Sequence, residues 1–207
     1  GTFAAVVTVT DTFGNSARDT VVVTASAAAT SDPPVSPPSE SEVLARVDFQ
    51  PASRPTPTGW DADAGGVYDA QAGYGWLAKT ATDYNAYPDT LRSTFAYVGN
   101  SASATWQVQV PAGTCLVSLV VGSPAWTGQH RVEVEGTVVV NDVSTGSGEF
   151  YLVTGHSATV QDGYLTVRIG GIAGSSKKTK LCSIEVRTSP PATVAGLARE
   201  DAPGDSS

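Results

Sequence analysis

The stretch 104–122, ATWQVQVPAGTCLVSLVVG, decides the fold class. In its first half Trp106, Val108 and Val110 alternate with polar residues, which is the pattern of a strand with one buried face. A Pro-Ala-Gly turn follows, and the second half is apolar on both faces, as expected for a central strand. The stretch therefore reads as two consecutive strands separated by a short turn.

Short strands continue on both sides of this stretch. ARVDFQ precedes it, and HRVEVEG, TVVVNDV, EFYLVTG, GYLTVRIGG and LCSIEVR follow it, separated by Gly, Asn and Asp. No window of adequate length has the 3.6-residue period of a helix. We therefore predict an all-β chain, with an antiparallel β-sandwich of the jelly-roll type over residues 46–188.

The N-terminal segment is predicted to be a separate unit. Two Val/Thr runs within residues 1–26 flank DTFGNSA, which carries a Gly-Asn turn signal and predicts a β-hairpin. The motif TVTDTFGNSA before DTVVVT resembles the C-terminal hairpin of a PKD-type domain, which implies an extracellular spacer; a generic hairpin is the alternative. Residues 27–45 are rich in Pro and Ser and read as a linker, and residues 189–207 read as a flexible tail or a further linker.

The composition argues against two classes of partner. The 207 residues carry a net charge of −8 and only 12 Lys and Arg residues, whereas a nucleic-acid-binding protein normally presents a basic face. No apolar run approaches the ~20 residues of a membrane-spanning helix, so no membrane insertion is expected. The absence of methionine predicts that the sequence is part of a longer protein.

Two cysteines, Cys115 and Cys182, lie in strand-like runs and share faces with apolar residues. Two inward thiols can be small hydrophobic residues. In an extracellular chain they are more often oxidised. We therefore predict a Cys115–Cys182 disulfide and a secreted or cell-surface location.

An aromatic loop, GWDADAGGVYDAQAGYGW at 59–76, stands out from the strands. Neutral sugars present apolar faces that stack on aromatic rings and hydroxyl rims that bond polar side chains. Capping of the open end of the sandwich is the structural alternative for each ring. The net charge of −8 favours neutral over anionic glycans, although Arg92 or Arg131 could select a uronate. The predicted ligand-binding residues are Tyr74, Trp76, Trp126, Tyr68, Asp69, Asn85 and Arg92.

The same loop raises the question of calcium. Asp61, Asp63 and Asp69 occupy offsets 1, 3 and 9 of an EF-type loop. Offset 5 is Gly65 and offset 12 is Ala72, so the full motif fails. A looser Ca²⁺ site formed by the three aspartates is one hypothesis, and turn-forming Asp residues are the other. No other cofactor is expected, and His130 and His156 lack the spacing of a zinc site.

From Val47 to Val186 the chain resembles the galactose-binding-like, malectin-like and carbohydrate-binding-module jelly rolls. The resemblance is carried by VDFQP, GYGW, the stretch 104–122, HRVEVEGTVVVNDV, VQDGYLTVRIGG and LCSIEV, in that order. It implies a non-catalytic module that binds a polysaccharide or glycan beside other domains of a larger secreted protein, which can include a polysaccharide-acting one. No catalytic grouping is evident, since TGSGE lacks the strand-to-helix context of a nucleophile elbow. The alternative is a structural or adhesive module with protein partners and no sugar binding.

Overall fold

The structure is a computed structural model that describes residues 2–10, 16–24, 41–99 and 101–190. The chain divides into two compact units, Gly1–Pro37 and Pro38–Ser207. In the first unit, β1 (Thr2–Thr10) and β2 (Ser16–Thr24) form an antiparallel hairpin in which Thr2 is opposite Thr24 and Thr10 is opposite Ser16. The predicted hairpin is confirmed. Its turn, most of the predicted linker and most of the predicted tail lie outside the described residues.

The second unit consists almost entirely of strands. Its one helix among the described residues is the four-residue α1, and none of these residues forms a helix able to cross a membrane. Its elements in chain order are β3 (Val43–Phe49), β4 (Asp61–Asp63), β5 (Tyr74–Trp76), β6 (Ala81–Tyr84), α1 (Thr90–Ser93), β7 (Thr94–Val98), β8 (Ser103–Gln109), β9 (Gly113–Gly122), β10 (Gly128–Val134), β11 (Thr137–Thr145), β12 (Phe150–Val160), β13 (Tyr164–Gly170) and β14 (Thr179–Thr188).

Two sheets form the sandwich. The first has the order β11-β10-β13-β8-β5, and the second has the order β12-β9-β14-β3-β4. In the second sheet β14 pairs with β3 along its later residues and with β7 along Thr179–Leu181, and β6 pairs with β7. All pairs are antiparallel except β3 with β4. The predicted all-β antiparallel sandwich is confirmed, and its first strand begins at Val43, three residues before the predicted start.

The core lies between the two sheets and follows the alternation seen in the sequence. Trp106, Val108 and Val110 of the β8 segment are buried, as predicted, as are the inward valines of β10. Phe49 packs against Trp76 and Trp106, with ring centroids 5.6 and 5.4 Å apart. Trp106 also donates from Nε1 to Asp63 Oδ2 at 2.8 Å, so its polar edge is satisfied inside the core.

The predicted disulfide is wrong: Cys115 and Cys182 are both buried and free. They lie on the adjacent strands β9 and β14, but the antiparallel register puts Cys115 opposite Thr188, whereas Cys182 follows Leu181, the partner of Val121. Six residues of strand, about 20 Å, therefore separate them. A disulfide needs Cα atoms less than about 7 Å apart. Both cysteine side chains are buried, as the strand pattern indicated, but the register of the two strands holds them far apart.

Candidate functional site

The aromatic loop at 59–76 is anchored to the core. Trp76 is fully buried and lies opposite Trp106 in the β5–β8 pair, so the prediction that it stacks on a ligand is wrong. Tyr74 is half-buried, and its hydroxyl donates to the carbonyl of Ala62 at 3.1 Å. The Tyr68 ring packs edge-on against Tyr164 at 5.9 Å. Of the two alternatives, the structural one therefore holds for Trp76, whose ring is part of the core.

A glycine allows this packing. The backbone of Tyr68 crosses directly over Gly75, where an added Cβ would come within 2.5 Å of the Tyr68 Cα atom. Gly75 also has a φ of +148°, which side chains rarely adopt. The motif GYGW therefore brings the loop backbone against the short strand that carries Trp76.

The three predicted calcium ligands do not form a site. Both carboxylate oxygens of Asp63 are occupied, Oδ1 by the N–H of Gly65 at 2.7 Å and Oδ2 by Trp106. Asp69 Oδ1 accepts from the N–H of Gln71 at 2.8 Å. Among the described residues, which include Asp61, no three His, Cys, Asp or Glu side chains are grouped to hold a metal ion. The calcium hypothesis is wrong, and Asp63 and Asp69 close Asx turns, as the alternative hypothesis had it.

Two further predicted residues, Asn85 and Arg92, lie on the β6–α1–β7 segment of the second sheet, away from the strand that carries Tyr74. The backbone N–H of Asn85 donates to the carbonyl of Ser93 at 2.8 Å. Arg92 pairs with Asp89 at 3.3 Å, and its guanidinium lies 5.6 Å from the Phe150 ring centroid. The predicted ligand residues are therefore divided between separate parts of the sandwich.

Trp126 lies in a different place, on an open groove. Its side chain is 57% exposed in the loop between β9 and β10. The groove has a volume of about 410 Å³ and is bordered by β6, β7, this loop, the loop after β13 and the start of β14. Its lining residues are Asp83, Phe95, Tyr97, Trp126, Thr127, Ser176, Lys177, Lys178 and Lys180.

The Trp126 loop is held by hydrogen bonds at both ends. At its start, Ser123 Oγ accepts from the backbone N–H groups of Ala125 and Trp126 at 3.4 and 3.3 Å. At its end, the buried ammonium of Lys180 donates to the carbonyl of Thr127 at 2.7 Å. The ring of Trp126 is thus presented from a loop whose backbone is tied to the sheet on both sides.

His130 of β10 is buried and contacts the start of β14, which borders the groove. Its Nδ1 accepts from the backbone N–H of Lys180 at 3.2 Å, so the ring proton resides on Nε2, which lies 2.8 Å from Thr145 Oγ1. Burial, with the nearby Lys180 charge, lowers the pKa of His130 to about 4. Gly128 packs flat on this ring, because an added Cβ would meet it at 2.4 Å. His130 is therefore a neutral structural residue.

The groove has an aromatic wall and a cationic wall. The Lys178 ammonium lies 4.0 Å from the Tyr97 ring centroid in a cation–π contact. Burial, together with like-charge repulsion from Lys178 and Lys177, lowers the pKa of Lys180 to about 8. The sequence analysis identified Trp126 but missed the lysines. The available signal was KKTK at 177–180, immediately before a predicted strand.

Comparisons with known proteins place the fold. No protein-family model matches the chain, and no curated protein matches it. Among solved structures, the chain is similar to YXIM from Bacillus subtilis, with a TM-score of 0.55 and 22% identity over 71% of this chain and 40% of that one. It is similar to the plant receptor-like kinase FER, with a TM-score of 0.53 and 14% identity over 74% of this chain and 44% of that one.

A β-glucuronidase from Bacteroides uniformis is also similar, with a TM-score of 0.51 and 14% identity over 91% of this chain and 22% of that one. The chain therefore spans less than half the length of each of these three proteins. None of the comparisons supports a PKD origin for the N-terminal hairpin. The PKD origin therefore stays a prediction. Identities at this level show a shared fold alone.

Proposed function

We propose that this chain is a non-catalytic carbohydrate-binding module, and that it binds a glycan in the groove beside Trp126. The observation that carries the proposal is the exposure of this large ring at the edge of a 410 Å³ groove whose other residues are mostly polar. A sugar ring can stack its apolar face on the indole while its hydroxyls bond side chains at the rim.

The groove supplies the polar groups that such binding needs. Thr127 and Ser176 offer hydroxyls, Asp83 offers a carboxylate, and Lys177 and Lys178 offer ammonium donors, all exposed around the opening. Sugar hydroxyls both donate and accept, so a mixed set of this kind can satisfy them. The occurrence of the fold in a β-glucuronidase also fits a module of a sugar-acting protein.

A structural or adhesive module remains the second candidate, because a single exposed tryptophan also suits a protein interface. The rest of the predicted aromatic site does not discriminate, since Trp76 is buried and Tyr74 is half-buried. We assign the groove to a glycan because six of its nine lining residues are polar or charged and three are aromatic. Interface centres are instead depleted in charged residues.

We propose further that the module spans residues 46–188, together with the first three residues of β3, Val43–Ala45. The segment 27–45 before it acts as a linker to a PKD-like hairpin. The parent protein is secreted or lies on the cell surface. Limited proteolysis tests the division. Cleavage between Ala27 and Val43 should leave one stable fragment, and resistance of that segment would contradict a linker.

A glycan array with the purified chain tests the function. Wild-type protein should bind at least one polysaccharide with a Kd in the micromolar to millimolar range, about −8 to −4 kcal/mol. Trp126→Ala should weaken that binding by about 2 kcal/mol, roughly 30-fold, as loss of a central aromatic contact does. Its melting temperature should stay nearly unchanged, because the ring is exposed.

Tyr151→Ala is the matched control, since Tyr151 is an aromatic residue 40% exposed on β12 that does not line the groove. This variant should bind like the wild type. Binding that survives in Trp126→Ala would keep a glycan-binding function but refute the groove. Silence across plant, algal and bacterial polysaccharides would favour the structural module.

A further inference from the structure

The lysines of this acidic chain are concentrated in one region. The sequence contains four, Lys79, Lys177, Lys178 and Lys180, and its net charge is −8. Three of them line the groove beside Trp126. The fourth, Lys79, lines a second cavity of about 380 Å³. Tyr97 of β7 lines both cavities, so the two adjoin along this strand.

The arginines behave differently. Of the six in the second unit's described residues, five form ion pairs with Asp or Glu, and Arg54 instead stacks on the Tyr84 ring at 3.6 Å. Within the same part of the chain, none of the lysines forms an ion pair with a carboxylate. Apart from Arg54, the positive side chains that the described part of this unit leaves without a carboxylate partner therefore lie along the two cavities.

The negative groups near these lysines are few. Among the residues that the structure describes, Asp83 is the one carboxylate that lines the first cavity, and its Oδ1 accepts from the N–H of Tyr84 at 2.8 Å. No Asp or Glu of this described part lines the second. Three ammonium groups against one carboxylate give the groove a local charge opposite in sign to that of the whole chain. Such a focused potential attracts ligands of opposite charge.

We propose that the ligand is an acidic polysaccharide, held by its carboxylate or sulfate groups on the lysines while a sugar ring stacks on Trp126. This inference rests on the proposed glycan-binding function and specifies the class of glycan. It reverses the expectation from net charge, which favoured a neutral sugar. Neither Arg92 nor Arg131 can supply the charge, because each is already paired with a carboxylate of the protein.

The arrangement of the two cavities favours a polymer over a single acidic sugar. Lys177 and Lys178 lie on one side of Tyr97 and Lys79 on the other, so acidic groups spaced along a chain can meet both. Lysine ammoniums on flexible stems suit this task, because they act as point charges and need no fixed bidentate geometry. Lys178 already covers one face of the Tyr97 ring, which leaves Trp126 as the open stacking surface.

Affinity electrophoresis and titration calorimetry on matched polymers test the proposal. Polygalacturonate is compared with its fully methyl-esterified form, and dextran sulfate with dextran, so that the two members of each pair share a sugar backbone and differ in charge. The wild type should bind an acidic member of at least one pair and bind its neutral counterpart at least ~10-fold more weakly. The two pairs distinguish a carboxylate from a sulfate as the recognised group.

Three variants separate the possible results. Lys177→Gln/Lys178→Gln should weaken acidic binding by about 10-fold or more, Lys79→Gln should weaken it less, and Arg54→Gln should leave it unchanged. Trp126→Ala should also lose binding to the acidic polymer. Raising the salt concentration should weaken acidic-polymer binding by the wild type more than binding by the double variant, because the double variant has fewer ionic contacts for salt to screen.

Two outcomes would overturn the proposal, and they differ in what they leave standing. Equal binding of neutral and acidic polymers, unaffected by the lysine changes but lost in Trp126→Ala, would refute acidic recognition and keep the carbohydrate-binding module. Acidic binding that falls in the lysine variants but survives in Trp126→Ala would be simple ion exchange. That result would refute the groove as a sugar site as well.

Discussion

Replacement of Asp48 by asparagine should stabilise the protein at neutral pH and lose this effect in acid. Asp48 lies on β3 and is fully buried. Its Oδ1 accepts from Thr94 Oγ1 at 2.9 Å, whereas its Oδ2 has no hydrogen-bond partner among the described residues. Burial raises the pKa of this carboxyl from 3.8 to about 6, against the lowering effect of the Thr94 bond.

The sign and the size follow from the raised pKa. Between pH 3.8 and 6 the folded state holds a proton on Asp48 that the unfolded state releases, so the free energy of unfolding falls as pH rises through this window. A rise of the pKa from 3.8 to about 6 corresponds to about 3 kcal/mol. Asparagine has the same shape and no charge. The variant should therefore gain up to about 3 kcal/mol over the wild type at pH 7.5 and little at pH 4.

Urea denaturation followed by tryptophan fluorescence at pH 7.5 and pH 4 measures the difference. Thr94→Val is the informative companion, because loss of the hydroxyl donor should raise the pKa of Asp48 further and destabilise the protein more at pH 7.5 than at pH 4. A destabilisation by Asp48→Asn that is the same at both pH values would refute the reasoning. It would show that burial does not raise the pKa of Asp48 in the folded protein.

Three other predictions, two for variants and one for the wild type, test the packing. Trp76→Ala should cost about 3–5 kcal/mol of unfolding free energy, the usual loss for a buried aromatic ring; a loss below 1 kcal/mol in urea denaturation would contradict its place in the core. Burial lowers the pKa of His130 from 6.5 to about 4, so the wild type loses about 3 kcal/mol of unfolding free energy as pH falls from 6.5 to 4. His130→Gln should therefore be less stable than the wild type at pH 7, and this difference should shrink by about 3 kcal/mol at pH 4. A difference independent of pH would be contrary evidence. Thiol titration without reductant should find no reactive thiol in the folded protein and two, Cys115 and Cys182, after unfolding; zero in the unfolded protein would restore the disulfide.

The strands and most of the core were predictable because they depend on local alternation. Trp106 and the inward valines of β10 repeat every second residue, and a period of two has one structural meaning. The burial of Trp76 was not predictable in the same way. Its spacing to Tyr74 indicates that both rings lie on one face. That this face turns inward depends on the pairing of β5 with β8, 30 or more residues later in the chain.

The groove depends still more on distant contacts. Trp126 was identified because Pro and Gly surround it in a loop, a local signal. Tyr97 and Lys178 meet through the pairing of β7 with β14, whose residues are about 80 apart in sequence. The disulfide prediction failed for a related reason, since strand phase gives the direction of a cysteine side chain but the register decides its neighbour. Local pattern therefore predicted the sandwich, and its topology determined the site.

The position of β14 also affects how the unit can be joined to other proteins. The N–H of Thr188, at the end of this strand, donates to the carbonyl of Glu42 at 2.8 Å, so the chain enters and leaves the sandwich side by side. Lys180 lies eight residues earlier on the same strand, about 27 Å away at the spacing of extended chain. Both attachment points thus lie at the pole opposite the groove. A unit built this way can be inserted into a longer polypeptide, or repeated in tandem, without its connections obstructing a polymer bound at the other pole.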